Sequence, residues 1–219
     1  MDFSEHFPIW DKLTKNQQEK IKTNAIRRSV EKGTVVHNGC MDCIGILLIR
    51  SGQFRAYSLS PDGREITLYR LFDMDICIFS ASCMMPDIQF EIIIEAEKDS
   101  EFWSIPACLF KNLVDESLAV ANYSRNLISA NFSELMWLME QIMWKSFDRR
   151  LAAFLLEESR LEDTNILRIT HEKIANHMGT AREVVTRMLR YFQSEGMVIL
   201  NRGTIELSDL EKLEALENS

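Results

Sequence analysis

The stretch ITHEKIANHMGTAREVVTRML, residues 169–189, decides the fold of the last third of the chain. After Thr170, which with Lys173 has part of the pattern of a capping box, apolar residues recur at helical spacing: Ile174, Ala175 and Met178. Gly179-Thr180 is typical of a tight turn, and residues 181–194 are predicted to form a second helix. The side chains predicted to be buried on it are Val184, Val185, Met188, Leu189 and Phe192. Two helices joined by a short turn containing glycine are typical of a helix-turn-helix.

A hairpin pattern follows the second helix. Glu195-Gly196 is predicted to end that helix, and residues 198–207 are predicted to form a strand, a turn at Asn201-Arg202-Gly203 and a second strand. Upstream, Asp148 is predicted to cap a helix that runs through Leu156. We therefore predict a winged helix-turn-helix in this part of the chain.

The charge of the chain is unevenly distributed. The 219 residues have 33 acidic and 25 basic side chains and a formal net charge of −8, but residues 147–207 contain nine of each. Residues 1–146 have a net charge of −5 and residues 208–219 a net charge of −3. The overall acidity therefore does not exclude nucleic acid as a partner. The composition, 46% hydrophobic and 26% charged, excludes a disordered or low-complexity chain.

The second helix of this stretch has a basic face. Arg182, Arg187 and Arg190 are opposed only by Glu183. Arg182 and Glu183 lie in the first turn, from which a recognition helix reaches base edges, and these residue types pair with guanine and with cytosine N4. Thr180 and the free amides of the helix start suit a phosphate. A solvated amphipathic helix would explain the arginines alone, but the glycine turn and the hairpin favour DNA binding.

Residues 32–106 alternate short apolar runs with Gly, Pro and Asp turns. Strands are predicted at residues 35–36, 44–49, 53–59, 66–69, 76–79, 90–94 and 102–105. Pro61-Asp62-Gly63 has the composition of a hairpin turn, because proline pre-sets φ and glycine accepts a positive φ. Short strands at this spacing indicate a β-sandwich or barrel. Residues 1–30 are predicted to be a helical N-terminal segment.

From about residue 116 to residue 145 the chain has no Gly or Pro. Apolar side chains there follow a 4-3-4-3 spacing: Ile128, Phe132, Leu135, Met139 and Ile142. The helix could pack on its own β-domain, or it could form a two-stranded coiled coil between two subunits. A helix of about 30 residues is ~45 Å long, more than the β-domain can cover, which favours a dimer.

Residues 169–189, with Gly196 and Arg202-Gly203, closely resemble the helix-turn-helix of the CRP/FNR family of bacterial transcription regulators. The turns at residues 32–39, 51–52 and 60–66 resemble those of the family's sensor domain. The resemblance covers nearly the whole chain and is strongest in the last third.

The resemblance implies an α+β chain of three parts. An effector-sensing β-roll (a jelly roll of the cyclic-nucleotide-binding type) is expected over residues 1–115, and a long dimerisation helix over residues 116–146. A winged helix-turn-helix DNA-binding domain is expected over residues 147–219, with a hinge near residues 146–148.

The resemblance also implies roles for individual residues. In the family, residues at the positions of Arg182, Glu183 and Arg187 read a palindromic site, so we expect the first two to contact bases and the third a base or a nearby phosphate. The full set of expected DNA-binding residues is Thr170, Thr180, Arg182, Glu183, Thr186, Arg187 and Arg202.

Two departures from the family concern its cofactors. Members that bind cAMP have a cassette with Gly-Glu followed by Arg-Ser or Arg-Thr, but residues 78–86 here, IFSASCMMP, contain neither Glu nor Arg. Because a buried phosphate without a cation is costly, we expect no cAMP binding in the usual mode. Members with an iron–sulfur cluster have an N-terminal cysteine cluster, and no cysteine here precedes Cys40. That cluster is not expected either.

Which signal the β-domain senses is open. His37, Cys40 and Cys43 are spaced three apart, and imidazole and thiolates at this spacing could hold a metal or form a thiol redox switch. The plain alternative is that the cysteines are small apolar core residues. Around the altered cassette we expect an effector pocket formed by Tyr69, Cys77, Ser80, Ser82 and Cys83.

The leading hypothesis is a homodimeric transcription regulator that binds a palindromic double-stranded DNA operator under control of an unknown small effector or redox signal. RNA polymerase is an expected partner. The alternative is a non-catalytic small-molecule-binding or thiol/metal redox-sensing module, and a third possibility is a regulator whose pocket is filled by side chains. The chain lacks a Gly-rich phosphate loop, G-x-S-x-G and H-E-x-x-H, so no enzyme is expected. Without a signal-peptide pattern or a membrane-spanning apolar run, we expect a cytoplasmic protein without a membrane partner.

Overall fold

A computed structural model describes residues 3–39, 43–84 and 91–218. The chain divides into two compact units. The first consists of Met1–Leu59 and Thr67–Leu135, and the second of Ser60–Ile66 and Met136–Ser219.

Two sheets form the N-terminal β-domain. The strands are β1 (Ile26–Val30), β2 (Val35–Asn38), β3 (Ile46–Ser51), β4 (Phe54–Leu59), β5 (Glu65–Leu71), β6 (Ile76–Cys77), β7 (Ile93–Ala96) and β8 (Ser100–Ile105). Their orders are β1-β8-β3-β6 and β2-β7-β4-β5. The predicted strands are thus confirmed, with two changes. The strand predicted over residues 76–79 ends at Cys77 and is followed by a 3₁₀ segment, Phe79–Met84. The strand predicted over residues 90–94 begins at Ile93, and residue 90 lies outside the described residues.

Alternating side chains of the two sheets form the core of the first unit. Phe54 and Phe102 are fully buried and meet edge to face, with ring centroids 5.6 Å apart. Ile46, Ile94 and Ile105 are also fully buried. This burial removes apolar surface from water at about 25 cal/mol per Å² and provides the main driving force for closing the sheets.

The N-terminal segment corrects one prediction. The sequence predicts helix over residues 1–30. The structure has three helical segments there: α1 (Phe3–His6), a 3₁₀ turn (Trp10–Lys12) and α2 (Lys15–Asn24). Residues 26–30, however, form β1, which pairs with β8 at the edge of its sheet. The strand gives little sequence signal because its side chains are largely exposed and need no apolar alternation.

Two helices follow the β-domain. α3 (Ala107–Glu116) ends at Ser117, whose backbone is extended, and α4 (Leu118–Trp144) is the predicted long helix. Val120 and Ser124 are buried, and Tyr123 and Leu127 pack on the core of the first unit. No helix among the described residues is long and apolar enough to cross a membrane.

The second unit contains α5 (Phe147–Glu162), β9 (Ile166–Leu167), α6 (His171–Met178), α7 (Arg182–Ser194), β10 (Val198–Asn201), β11 (Thr204–Leu207) and α8 (Leu210–Asn218). The predicted helix-turn-helix and hairpin are confirmed, and β9 adds a strand to the order β10-β11-β9. The prediction that Asp148 caps α5 was wrong: Ser146 is the N-cap, and Asp148 lies in the first turn. There the Ser146 hydrogen bond lowers the pKa of Asp148.

Candidate nucleic-acid interface

Local capping and core packing set the position of α7. Thr170 caps α6, where its hydroxyl accepts a hydrogen bond from the backbone N–H of Lys173 at 3.1 Å. α6 ends at Gly179, whose φ of +67° is a left-handed conformation that glycine adopts without strain. The buried side chains Ile174 of α6 and Val185 of α7 belong to one core, which fixes the two helices against each other.

The two faces of α7 differ in character. Val185, Leu189 and Phe192 are fully buried. On the other side of the helix, the charged side chains are exposed and line an open groove of about 520 Å³; the lining residues are Arg182, Glu183, Thr186, Arg187 and Arg190. Because residues three and four apart share a helix face, Arg182, Thr186 and Arg190 form one row along this groove.

The groove is electropositive at its row of arginines. Burial, and then the positive charges of Arg182 and Arg190, lower the pKa of the nearby His171 imidazole. Both arginines therefore lie near enough to this ring to disfavour its charged form. Three arginines and one glutamate give this face of α7 a net positive charge, which complements the negative phosphate backbone.

The start of α7 leaves hydrogen-bond donors available. Its N-cap, Ala181, has no side chain that could cap the helix, and the first intrahelical bond runs from Val184 N–H to Ala181 at 3.0 Å. The amides of Arg182 and Glu183 therefore precede the first helical hydrogen bond. Together with the neighbouring Thr180 hydroxyl they suit an anion.

The wing places a further cation in the same unit. β10 and β11 are antiparallel: Val198 pairs with Leu207 at one end, and Asn201 pairs with Thr204 at the other. The turn between them is Arg202-Gly203. Gly203 has a φ of +81°, which closes this tight turn without strain. Arg202 is exposed at the tip, so the sequence-predicted arginine lies where a wing can contact a phosphate.

The structure thus brings four of the sequence-predicted residues to one groove; they are Arg182, Glu183, Thr186 and Arg187. Thr180 lies in the turn that precedes α7. Thr170 lies at the N-terminus of α6, and Arg202 at the wing. Chemically, guanidinium groups can bond guanine O6 and N7, a carboxylate can accept from cytosine N4, and a threonine can contact either kind of group.

Two residues of this surface were missed. Arg190 was noticed among the arginines but was not expected to bind DNA, although its spacing of four from Thr186 would have placed it in the row. His171 bonds Thr186, with Nδ1 2.9 Å from Oγ1. No sequence pattern predicts this contact, because it depends on how α6 packs against α7.

The predicted effector pocket lies in the β-domain. Tyr69, Cys77 and Ser80 are buried. The Tyr69 hydroxyl lies 3.6 Å from Sγ of Cys77, and the Ser80 hydroxyl donates to the backbone oxygens of Gly45 and Cys77 at 2.7 and 2.9 Å. The side chains of Ser82 and Cys83 lie outside the described part. None of the described side chains of residues 78–81 is a cation that could hold a cyclic nucleotide phosphate.

The suggested metal ligands are only partly described. His37 is buried in β2, and Cys43 is exposed and disulfide-bonded. Cys40 lies outside the described residues. Within residues 3–39, 43–84 and 91–218, no group of three or more His, Cys, Asp or Glu side chains is placed to hold a metal ion.

The helix-turn-helix, its exposed basic helix and the wing define a DNA-binding regulator of the winged-helix class. The Crp-like helix-turn-helix domain matches residues 149–216. A solved structure from Eubacterium rectale, of a protein assigned to the CRP/FNR family of transcriptional regulators, is 58% identical to this chain with a TM-score of 0.97. The match covers 98% of this chain and 100% of the other. This chain belongs to the CRP/FNR family.

More distant relatives agree. The anaerobic regulatory protein of Haemophilus influenzae is 25% identical over 212 residues, 92% of this chain and 81% of that protein. The cyclic AMP receptor protein of Thermus thermophilus is 25% identical over 171 residues, 78% of each. The chain is a transcription regulator with a helix-turn-helix DNA-binding domain and is not an enzyme.

Proposed function

We propose that this regulator binds a palindromic operator as a homodimer and presents α7 of each subunit to successive major grooves. The observation that carries the proposal is the row on α7 formed by the exposed Arg182 and Arg190 and the half-buried Thr186, which line one open groove. In a two-fold symmetric complex the two recognition helices lie about 34 Å apart, one turn of DNA.

Within each half-site the residues divide by the groups they offer. Arg182 and Glu183, in the first turn of α7, contact base edges, and Arg187 contacts a base or a nearby phosphate. Thr186 lies one turn after Arg182 on the same face. Thr170, Thr180 and Arg202 bind the phosphate backbone, which sets position rather than sequence preference.

The test of DNA recognition is selection from a random-sequence pool, followed by a gel shift on the recovered sites. The proposal expects a two-fold symmetric site whose half-sites are one helical turn apart. Recovery of no common site would contradict the proposed palindromic operator.

The dimer proposal is supported by exposed apolar side chains on α4. Phe132 is 63% exposed, and Ile128, Met139 and Ile142, which share its heptad seam, are each more than 40% exposed. Leu135 is half-buried on the same seam. Apolar residues at a and d positions are typical of helices that pair with a partner. A second copy of α4 would bury this seam.

The control of DNA binding is proposed to lie in the β-domain, with domain limits near residues 115 and 146 and a hinge at residues 146–148. A signal acting there would shift the population of dimers whose two recognition helices are correctly spaced. RNA polymerase is the protein partner expected of a transcription regulator. We expect cAMP not to be this signal, and calorimetry should detect no micromolar affinity for it.

The second candidate for the signal is thiol redox chemistry, which the disulfide at Cys43 favours. Cys43 is exposed, so oxidants and reductants can reach it. The test compares DNA affinity of the wild type and Cys43→Ser under oxidant and reductant, with Cys108→Ser, a change of the exposed free cysteine, as control. A redox response lost only in Cys43→Ser supports this signal. If Cys43→Ser responds to oxidant and reductant as the wild type does, thiol redox chemistry at Cys43 is not the signal.

A further inference from the structure

We propose that His171 is a specificity-determining positioning residue, which sets whether Thr186 offers a hydrogen-bond acceptor or a donor to the base that it faces. The inference rests on the proposed DNA recognition by α7. It assigns a role to a residue of α6 that acts on DNA through the side chain of another residue.

The geometry that carries this proposal is a contact between the two helices. Nδ1 of His171 lies 2.9 Å from Oγ1 of Thr186, a normal hydrogen-bond distance. His171 is the first residue of α6 and is half-buried, and Thr186 lines the groove between Arg182 and Arg190. The hydroxyl of Thr186 is therefore held by the imidazole, on a residue that lines the groove.

The direction of this hydrogen bond depends on the tautomer and the charge of the ring. In the neutral tautomer with its proton on Nε2, Nδ1 accepts the hydroxyl proton of Thr186. The oxygen then offers its lone pairs to the groove and can accept from adenine N6 or cytosine N4. In the imidazolium, Nδ1 is a donor, so it donates to Oγ1 and the hydroxyl proton turns to the groove. Thr186 can then donate to guanine O6 or N7, or to thymine O4.

The charged groups around the ring favour its neutral form. Arg182 and Arg190 of α7 act on it directly, and with burial they lower its pKa. Arg187 and Glu183 are the other charged residues on that helix, and Glu172 and Lys173 follow His171 on α6. Near neutral pH the imidazole is thus uncharged, and in the tautomer with its proton on Nε2 it leaves Thr186 an acceptor toward the groove. As the pH falls through the lowered pKa, the hydroxyl becomes a donor.

The test uses the selected operator and a panel in which each half-site base pair is varied in turn. Thr186→Val keeps the shape of the side chain without its hydroxyl, so the position at which its base preference is lost is the one that Thr186 faces. At about pH 8 the wild type should prefer a base with an exposed donor there, by roughly threefold to tenfold in Kd. The preference should shrink or invert as the pH is lowered through the depressed pKa of the imidazole, below the ordinary range of histidine.

Two variants of His171 separate positioning from folding. His171→Asn retains an acceptor and a donor near the place of Nδ1 but has no proton to gain, so it should retain base discrimination and lose its pH dependence. His171→Phe should lose both while keeping the ring. If His171→Asn shows the same pH-dependent preference as the wild type, or if Thr186→Val changes the preference at no position, the inference is wrong. If the wild type selects no DNA site, the proposed function itself has failed.

Discussion

The hydroxyl of Tyr69 lies 3.6 Å from Sγ of Cys77, and both side chains are enclosed in the first unit. Burial raises the pKa of the Cys77 thiol and raises the pKa of the Tyr69 hydroxyl well above its usual value. Because the thiolate is the reactive form, we expect a thiol alkylating reagent to leave Cys77 unmodified in the folded protein. The exposed Cys108 should react. Peptide mapping by mass spectrometry distinguishes the two sites.

The control for this experiment is the same labelling in denaturant, where both cysteines should react. Labelling of folded Cys77 as fast as Cys108 would mean that the predicted effector pocket opens to solvent. Protection by a candidate effector would then identify its binding at that place.

The cap of α6 makes a prediction about stability. Thr170→Ala removes the hydroxyl that accepts from the Lys173 amide, and loss of such a cap costs about 1 kcal/mol. We expect a melting temperature a few degrees lower in calorimetry without DNA, while Thr170→Ser, which keeps the hydroxyl, should melt near the wild type. An unchanged melting temperature of Thr170→Ala would show that the cap contributes nothing.

A buried ion pair in the β-domain predicts a larger effect on the free energy of unfolding. Arg70 Nε and Gln53 Nε2 both donate to Glu97 Oε2 at 2.8 Å, and the Arg70 and Glu97 side chains are only 7% and 6% exposed. Arg70→Met would leave a buried carboxylate without this cation, which costs about 3–5 kcal/mol. Denaturant unfolding should detect the loss, with the exposed Arg28→Met as control. Equal stability of the two variants would contradict this account of the pair.

The seam of α4 predicts how the chain associates. Phe132→Glu places a charge on the seam, so sedimentation should show a shift from dimer to monomer. Ala130→Glu introduces the same charge on an exposed position away from the seam and should leave the dimer intact. A wild-type protein that sediments as a monomer, or a Phe132→Glu dimer as stable as that of Ala130→Glu, would argue against the α4 interface.

The helix-turn-helix was predictable because its signals are local. Thr170 is a helix cap and Gly179 is a left-handed turn. Val185 and Leu189 follow the helical period. Each of these signals can be recognised within a few residues. β1 was missed for the opposite reason: its exposed residues pair with β8, about 75 residues further along the chain, and no local pattern reports that pairing.

The same distinction holds for the candidate site. Charge and spacing predicted Arg182, Glu183 and Arg187, because a recognition helix has its reading residues on one exposed face. His171 was not predictable, since its role depends on a contact across 15 residues between two helices. In the β-domain, residue type suggested a pocket at Tyr69 and Cys77. It could not reveal that these two side chains lie within hydrogen-bond distance of each other.

The most direct test of the central claim is the affinity of Arg182→Ala for the selected operator and its single-base variants. The account predicts a loss of about 1–3 kcal/mol, with discrimination relaxed at one base pair of each half-site. The matched control, Arg190→Ala, removes the same charge two turns along α7 and should weaken binding to all sequences alike. If Arg182→Ala bound every operator variant as the wild type does, α7 would not read DNA in the way proposed.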